Sequence, residues 1–416
     1  MIRRYPDALK FLDAFTDYER MASVYAPGDY NLERMRRLLC ALGNPERAFL
    51  SLHIAGTKGK GSTAHLTEAI LREAGYRTGL YTSPHLVDMR ERIRLDGKPI
   101  READFTRVLA RMEPELRRLR PTYFETMTAA AFVFFADRRV DYAVVEVGLG
   151  GRLDATNVIT PAACAITTID YDHMDKLGNT LEAIAGEKAG ILKPGVPAVS
   201  SPQAPAARRV LEARGAIEFP RFRVLSSGGD VLKFTAEGRR YEMPVLGEHQ
   251  AANAATALAL VARSGARVSP QDARRALRTI RLPGRVERVG RRPTVIVDAA
   301  HNPVSARALA AALAAVPRRR LVLVFGASAD KDYRAMLRTL LPSADLAILT
   351  KAAHPRAAAP SDLMAAAKGR PAVAAGSVAR ALALARKAAG PEDAIVVTGS
   401  FYVAGEALAL LSRRSK

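Results

Sequence analysis

Along almost the whole chain, short continuous apolar runs alternate with longer stretches whose apolar residues recur every three to four positions. The first kind reads as buried strands and the second as helices that cover them, the pattern of a mainly parallel sheet wrapped by helices. Strands are predicted at FLSLHIAG (49–56), TGLYTS (78–83), DYAVVEVG (141–148), ACAITTI (163–169) and VPAVSS (196–201). The pattern then changes. VLKFTAEGRRYEMPV (231–245) predicts a small antiparallel insert and EHQAANAATALALVARSG (248–265) a long helix. IRLPGRVERVGRRPT (280–294), dense in Pro, Gly and Arg, reads as a linker and restart. Beyond it TVIVDAA, RLVLVFGAS, DLAILTK, PAVAAG and DAIVVTGS predict five further strands, enough for a doubly wound domain of their own. The expected class is therefore α/β, with one domain over 1–282, a second over 283–416, and a ligand cleft between them.

At 416 residues the chain is longer than one hydrophobic core usually serves, which agrees with two domains. The longest apolar run, MTAAAFVFFA (127–136), is about half of the roughly 20 residues that a bilayer requires, so it predicts a buried helix and no membrane partner. The first residues, MIRRYPDALKFLDAF, mix Pro, Asp and Lys into what an export signal would keep apolar. Two cysteines, Cys40 and Cys164, offer no disulfide framework and suit the cytoplasm. The net charge of +21 favours anionic partners. Because the arginines are scattered over Ala-rich helices without interleaved aromatics, both a basic surface suited to small anions and a polyanion site remain open.

The chemistry begins at HIAGTKGKGSTAHL (53–66): a strand, a turn that needs glycines, then helical spacing. Gly56, Thr57, Lys58, Gly59, Lys60, Gly61 and Ser62 would cradle phosphate at a helix N-terminus, although Ser62 falls one place later than in the common phosphate loop. Glu146 closes an apolar strand at its C-terminal end, where a parallel sheet builds its site, and is a candidate magnesium ligand or a capping acid. Ser83 in TSPHL reads as a turn residue, His173 in IDYDHMD as a structural histidine, and Lys188 in GEKAGILKPG, on spacing alone, as a surface charge. Asp298, His301 and Asn302 in VIVDAAHNP fit either nucleotide recognition or an Asx turn and helix cap.

Taken in order, HIAGTKGKGST, YTSPHLVDMRERI, FETMTAAAF, VVEVGLGGRLDATN, DHMDKLGNTLEAIAGEKAGILKPG, GEHQAANAATAL, LPGRVE, DAAHNP and VVTGSFYVAGE resemble the folylpolyglutamate synthase/dihydrofolate synthase family. That family is a branch of the Mur-type ATP-dependent amide ligases, whose fold joins a P-loop ATPase domain to a C-terminal Rossmann-like domain. Gly61 between Lys60 and Ser62 is the family's habit; Lys58 stands where the family usually has Asn.

The resemblance implies ATP on the 56–62 loop, with Asn253, Arg285, Asp298 and His301 also contacting it and Arg285 on phosphate. It implies magnesium at Ser83, Glu146, His173 and a carbamate formed on Lys188. Lys60, Lys188, His173 and Glu146 would be the catalytic group. Phe124, Asp154, Ala155 and Arg90 would hold the pterin of a folate or dihydropteroate, and Ser400 would help to place L-glutamate. The implied reaction adds glutamate to the acid through an acyl phosphate, in a cytoplasmic monomer with no nucleic-acid partner; a monovalent cation requirement stays open. A Mur-type ligase for another carboxylate and a nucleic-acid-stimulated ATPase are the alternatives.

Overall fold

The structure, a computed structural model, describes residues 1–17, 31–228 and 231–412. The first sheet is built from β1 (Leu50–Ala55), β2 (Thr78–Tyr81), β3 (Ile93–Leu95), β4 (Lys98–Pro99), β5 (Tyr142–Glu146), β6 (Ala163–Ile166) and β7 (Ala198–Ser200), in the order β4-β3-β2-β5-β1-β6-β7. β2, β5, β1, β6 and β7 run parallel, while β3 and β4 add a short antiparallel edge. Both faces are covered, which is why the strands read as unbroken apolar runs. Leu52, Ile54 and Val144 pack against the helices Lys60–Glu73 and His249–Arg263; Tyr81, Ala143 and Val145 pack against Glu102–Leu119 and Tyr123–Asp137. Tyr123–Asp137 contains the longest apolar run and is buried nearly all round.

The insert is a three-stranded antiparallel sheet of β8 (Phe222–Ser226), β9 (Leu232–Ala236) and β10 (Arg239–Met243). β8 escapes sequence reading because its residues are mostly exposed and give no apolar alternation.

The last sheet comprises β11 (Glu287–Arg291), β12 (Thr294–Val297), β13 (Leu321–Phe325), β14 (Leu346–Thr350), β15 (Ala372–Ala375) and β16 (Ala394–Thr398), in the order β11-β12-β16-β13-β14-β15. Five of its strands are parallel, as expected. β11 corrects the reading of 280–294 as linker: ERVGR folds back antiparallel on β12, with a register shift between Arg288 and Gly290. An edge strand of half-buried polar residues has no apolar run to announce it. Among the described residues no helix is long and apolar enough to cross a membrane.

Candidate functional site

The C-terminal ends of both parallel sheets open onto one cavity of about 1330 Å3. β1 delivers the phosphate loop, and its neighbours hold that loop on either side. Ile54 pairs with Glu146 of β5, and the N–H groups of Thr57 and Lys58 both donate to the Thr168 carbonyl beyond β6, each at 3.0 Å. Gly59 caps the helix Lys60–Glu73 at φ 91°, and a Cβ there would collide with the Asn253 side-chain oxygen. Glycine is therefore required twice over, by backbone and by space. The first-turn N–H groups of that helix have no intrahelical partner and, with the helix dipole, favour an anion. Lys60, Gly61 and Ser62 line the cavity at this point. Glu146 Oε2 and an Arg285 terminal nitrogen lie 3.5 and 3.8 Å from where a Cβ on Gly61 would sit.

Glu146 is 4% exposed and accepts the Ser83 N–H at 3.1 Å. Burial raises its carboxyl pKa, with Lys60 acting in the opposite direction. Lys188 is also 4% exposed, which corrects its reading as a surface charge. Its helix, Leu181–Ala189, interlocks with the 148–154 turn: a Cβ on Gly151 would lie 2.9 Å from the Lys188 carbonyl oxygen. Lys188 has no hydrogen bond or ion pair among the described residues. Burial, with Lys60 adding to it, pushes its ammonium down to about 7. His173 lines the same cavity from an αL turn, with its side chain 41% exposed and Nε2 3.9 Å from Asp172 Oδ1.

No ready cluster of three or more His, Cys, Asp or Glu exists among the described residues. Magnesium, which keeps several waters and takes few protein oxygens, is compatible with what the cavity offers: the Glu146 carboxylate, the Ser83 hydroxyl and, once modified, Lys188.

From the last sheet, Asp298 accepts N–H groups of Val286 and Ala300, both at 2.8 Å, and so braces the strap that carries Arg285. The Arg285 guanidinium lies over the Phe401 ring, 5.1 Å from its centroid. His301 Nδ1 lies 3.0 Å from the Ala299 carbonyl. A carbonyl only accepts, so the ring proton sits on Nδ1 and Nε2 is left as an acceptor. Burial lowers the His301 pKa to about 3, keeping the ring neutral. Asn302 is the N-cap of the helix Pro303–Ala314, accepting the Ser305 N–H at 3.0 Å. DAAHNP thus splits: Asn302 caps, while Asp298 and His301 face the cavity. Ser400 also lines it, although its hydroxyl accepts the Val403 N–H at 3.1 Å.

On the far wall, Phe124 packs against Gly148, where a Cβ would lie 2.5 Å from the ring. Beside it are Ala155 and the buried Asp154, whose carboxylate accepts from the N–H groups of Leu149 (2.9 Å) and Thr156 (3.0 Å). Arg90 does not belong here. Its guanidinium is held by Asp88, lies 3.3 Å from Glu102 and covers Tyr5, outside the cavity. Arg92, two residues on, is the buried arginine of the cavity wall; its Nε donates to His85 Nδ1 at 2.9 Å.

Sequence reading also missed the wall beyond β13 and β14. Arg356 donates to the Tyr402 hydroxyl at 3.0 Å and lies 3.7 Å from Asp330, and its buried Nε has no partner. The His354 ring stacks on Tyr402 at 3.6 Å, and Lys331 is near. The available signal was position: ADKD and HPR follow apolar strands just as DAAHNP does.

The Mur ligase middle domain model matches residues 54–261, and the model for the Mur ligase glutamate ligase domain matches 284–401. The dihydrofolate synthase/folylpolyglutamate synthase of Bacillus subtilis is 36% identical over 389 residues, covering 87% of this chain and 89% of its own. The chain belongs to the Mur ligase family, in its folylpolyglutamate synthase/dihydrofolate synthase branch. Among solved structures, E. coli FolC in complex with DHPP and ADP aligns with a TM-score of 0.88 at 31% identity, covering 100% of this chain and 99% of its own. The Yersinia pestis bifunctional enzyme complexed with AMPPNP and a Mn ion aligns with a TM-score of 0.87 at 32% identity, covering 99% and 98%.

Gly59→Ala tests the phosphate loop. A non-glycine residue in this left-handed conformation costs about 1–2 kcal/mol, before the clash with Asn253. If the native loop is the nucleotide-binding form, ADP binding by calorimetry weakens about tenfold or more; unchanged affinity would exclude this loop as the nucleotide site.

Proposed function

We propose that the protein is an ATP-dependent ligase that joins L-glutamate to the carboxylate of a folate or of dihydropteroate through an acyl phosphate. The observation that carries this reading is one cavity in which a phosphate loop, a buried carboxylate and an aromatic wall face histidine and arginine from a second sheet. In this reading the division at 282/283 separates a domain that holds nucleotide phosphate and acceptor from one that closes over them.

The 56–62 loop, Lys60 and Arg285 receive the phosphates of ATP, and Asn253, Asp298 and His301 contact the rest of the nucleotide. Phe124, Asp154 and Ala155 hold the pterin. Ser400, with Arg356 and Lys331, places glutamate, whose two carboxylates match that cationic wall. Ser83, Glu146, His173 and a carbamate on Lys188 would hold magnesium, which when bound would neutralise phosphate charge. An oxygen of the acceptor carboxylate attacks the γ-phosphorus and ADP leaves. The neutral amine of glutamate then attacks the acyl carbon, inorganic phosphate leaves, and the amide nitrogen gives up a proton. Bringing two anions together needs positive charge fixed in advance, and Lys60 and Arg285 supply it from either side of the domain boundary. The domains shield the acyl phosphate from water.

The described lining of the cavity comes from one chain, which suits action as a monomer, in the cytoplasm where ATP and folates meet. The wall of Phe124 beside Asp154 suits a pterin, and the relatives favour neither a ligase for another acid nor a nucleic-acid-stimulated ATPase.

Two experiments test this reading. Mg-ATP, glutamate and either dihydropteroate or a reduced monoglutamyl folate are expected to release phosphate and give a product heavier by one glutamyl residue. Phosphate release independent of both acid and glutamate would overturn the reading. Carbamate formation requires the Lys188 amine to be neutral: nitrogen attacks carbon dioxide and loses a proton. The adduct therefore forms above about pH 7 and is lost as pH falls through that value, where the ammonium has no lone pair. With 13C-bicarbonate, a carbamate resonance is expected at pH 8 and not at pH 6. Lys188→Ala should remove it and lower turnover about 100-fold or more with the melting transition retained. Full activity in that variant would rule the carbamate out.

A further inference from the structure

Lys58, the residue that departs from the family's usual Asn, neither reaches into open solvent nor waits unpaired for phosphate. Its ammonium is 2.7 Å from Asp172 Oδ2, and the two side chains are only 21% and 14% exposed. The same Asp172 oxygen accepts Asn302 Nδ2 at 3.0 Å. Lys58 belongs to the phosphate loop, Asp172 to the segment after β6, and Asn302 to the start of the helix that follows β12 of the last sheet, where its other amide atom is the helix cap. One carboxylate oxygen therefore joins the nucleotide loop to the opposite domain. Asn302 is fixed at its oxygen end by Ser305 and can turn only its nitrogen toward Asp172, so the cap sets the direction of the bridge.

We propose that Lys58, Asp172 and Asn302 form an interdomain strap, and that Lys58 is a positioning residue which, through Asp172, holds His301 over the phosphate loop before nucleotide arrives. Lys58 holds the Asp172 carboxylate stationary as an acceptor; the bond to Asn302 then docks the cap of the helix Pro303–Ala314, and the residue before that cap is His301. An asparagine at 58 offers Asp172 a neutral donor on a shorter stem, so the strap weakens and the domains spend more time apart. Closure is thereby partly prepaid in the free enzyme, and nucleotide binding loses less conformational freedom. The proposal does not depend on which acid is the acceptor, and its test uses no substrate for the structural readout.

Nitroxide labels on cysteines introduced at exposed Arg209 and Val373, with Cys40 replaced by Ser, report the interdomain distance by pulsed electron resonance. The ligand-free parent is expected to give one narrow distribution. Lys58→Asn and Asn302→Asp should each broaden it toward longer distances; the latter keeps a capping oxygen but turns a carboxylate on Asp172. The double variant should be no broader than the more open single variant, and Lys58→Arg should resemble the parent. In turnover, Lys58→Asn is expected to raise the KM for ATP about three- to tenfold while kcat changes less than twofold. A local role of Lys58 on phosphate alone would weaken nucleotide binding without moving the distance and without being reproduced by Asn302→Asp. An unchanged distribution in Lys58→Asn would overturn the strap, whatever the reaction proves to be.

Discussion

The carbonyl of Thr168, accepting the N–H groups of Thr57 and Lys58 together, is the contact on which the site depends. It ties the loop after β1 to the segment after β6, while the pairing of Ile54 with Glu146 ties β1 to β5. Held from both sides, the loop can adopt only the course that ends with Gly59 in a left-handed conformation against Asn253. The helix that follows then presents its N-terminus to the same space as Glu146, Ser83 and Lys188. A parallel sheet makes this possible because its strands deliver their following loops to one edge, and the second sheet uses the same rule to bring Arg356, His301 and Ser400 to face them.

The electrostatics follow from that convergence. The reaction gathers a triphosphate and an acid at one point, and the cavity answers with Lys60 and Arg285 beside the buried acid Glu146. Three other acids of the lining are already committed: Asp298 to Val286 and Ala300, Asp172 to Lys58 and Asn302, and Asp154 to the turn around Thr156. Lys188 stands apart as a buried amine without an acid partner among the described residues, an arrangement in which burial penalises the charged form. The basic excess of the chain suits this task, since ATP, glutamate and folates are all anionic.

Legibility in the sequence tracked burial. Strands covered on both faces, such as YAVVE and LVLVF, appear as apolar runs, and the glycines of the phosphate loop mark a backbone that other residues cannot follow. β8 and β11 lie at edges with half-exposed residues, so they carry no such signature. Lys188 looked superficial because its burial comes from the distant turn at Gly151, not from its own helix, whose other residues give little amphipathic pattern. Arg90 and Arg92 are alike in sequence; only the Asp88 carboxylate, which captures the first, decides which one faces the cavity. Ser83, Glu146 and His173 were individually weak signals, and what unites them is the order of strands β2, β5, β1 and β6, a property of pairing and not of any local segment.

The reaction as derived transfers phosphate to the acceptor's carboxylate before glutamate attacks. Isotope tracing addresses it directly. With the reacting carboxylate of the acceptor labelled with 18O, an acyl phosphate intermediate requires one labelled oxygen to leave in each inorganic phosphate released during amide synthesis, and mass spectrometry of that phosphate should find it. Unlabelled phosphate accompanying the same amide product would contradict the mechanism.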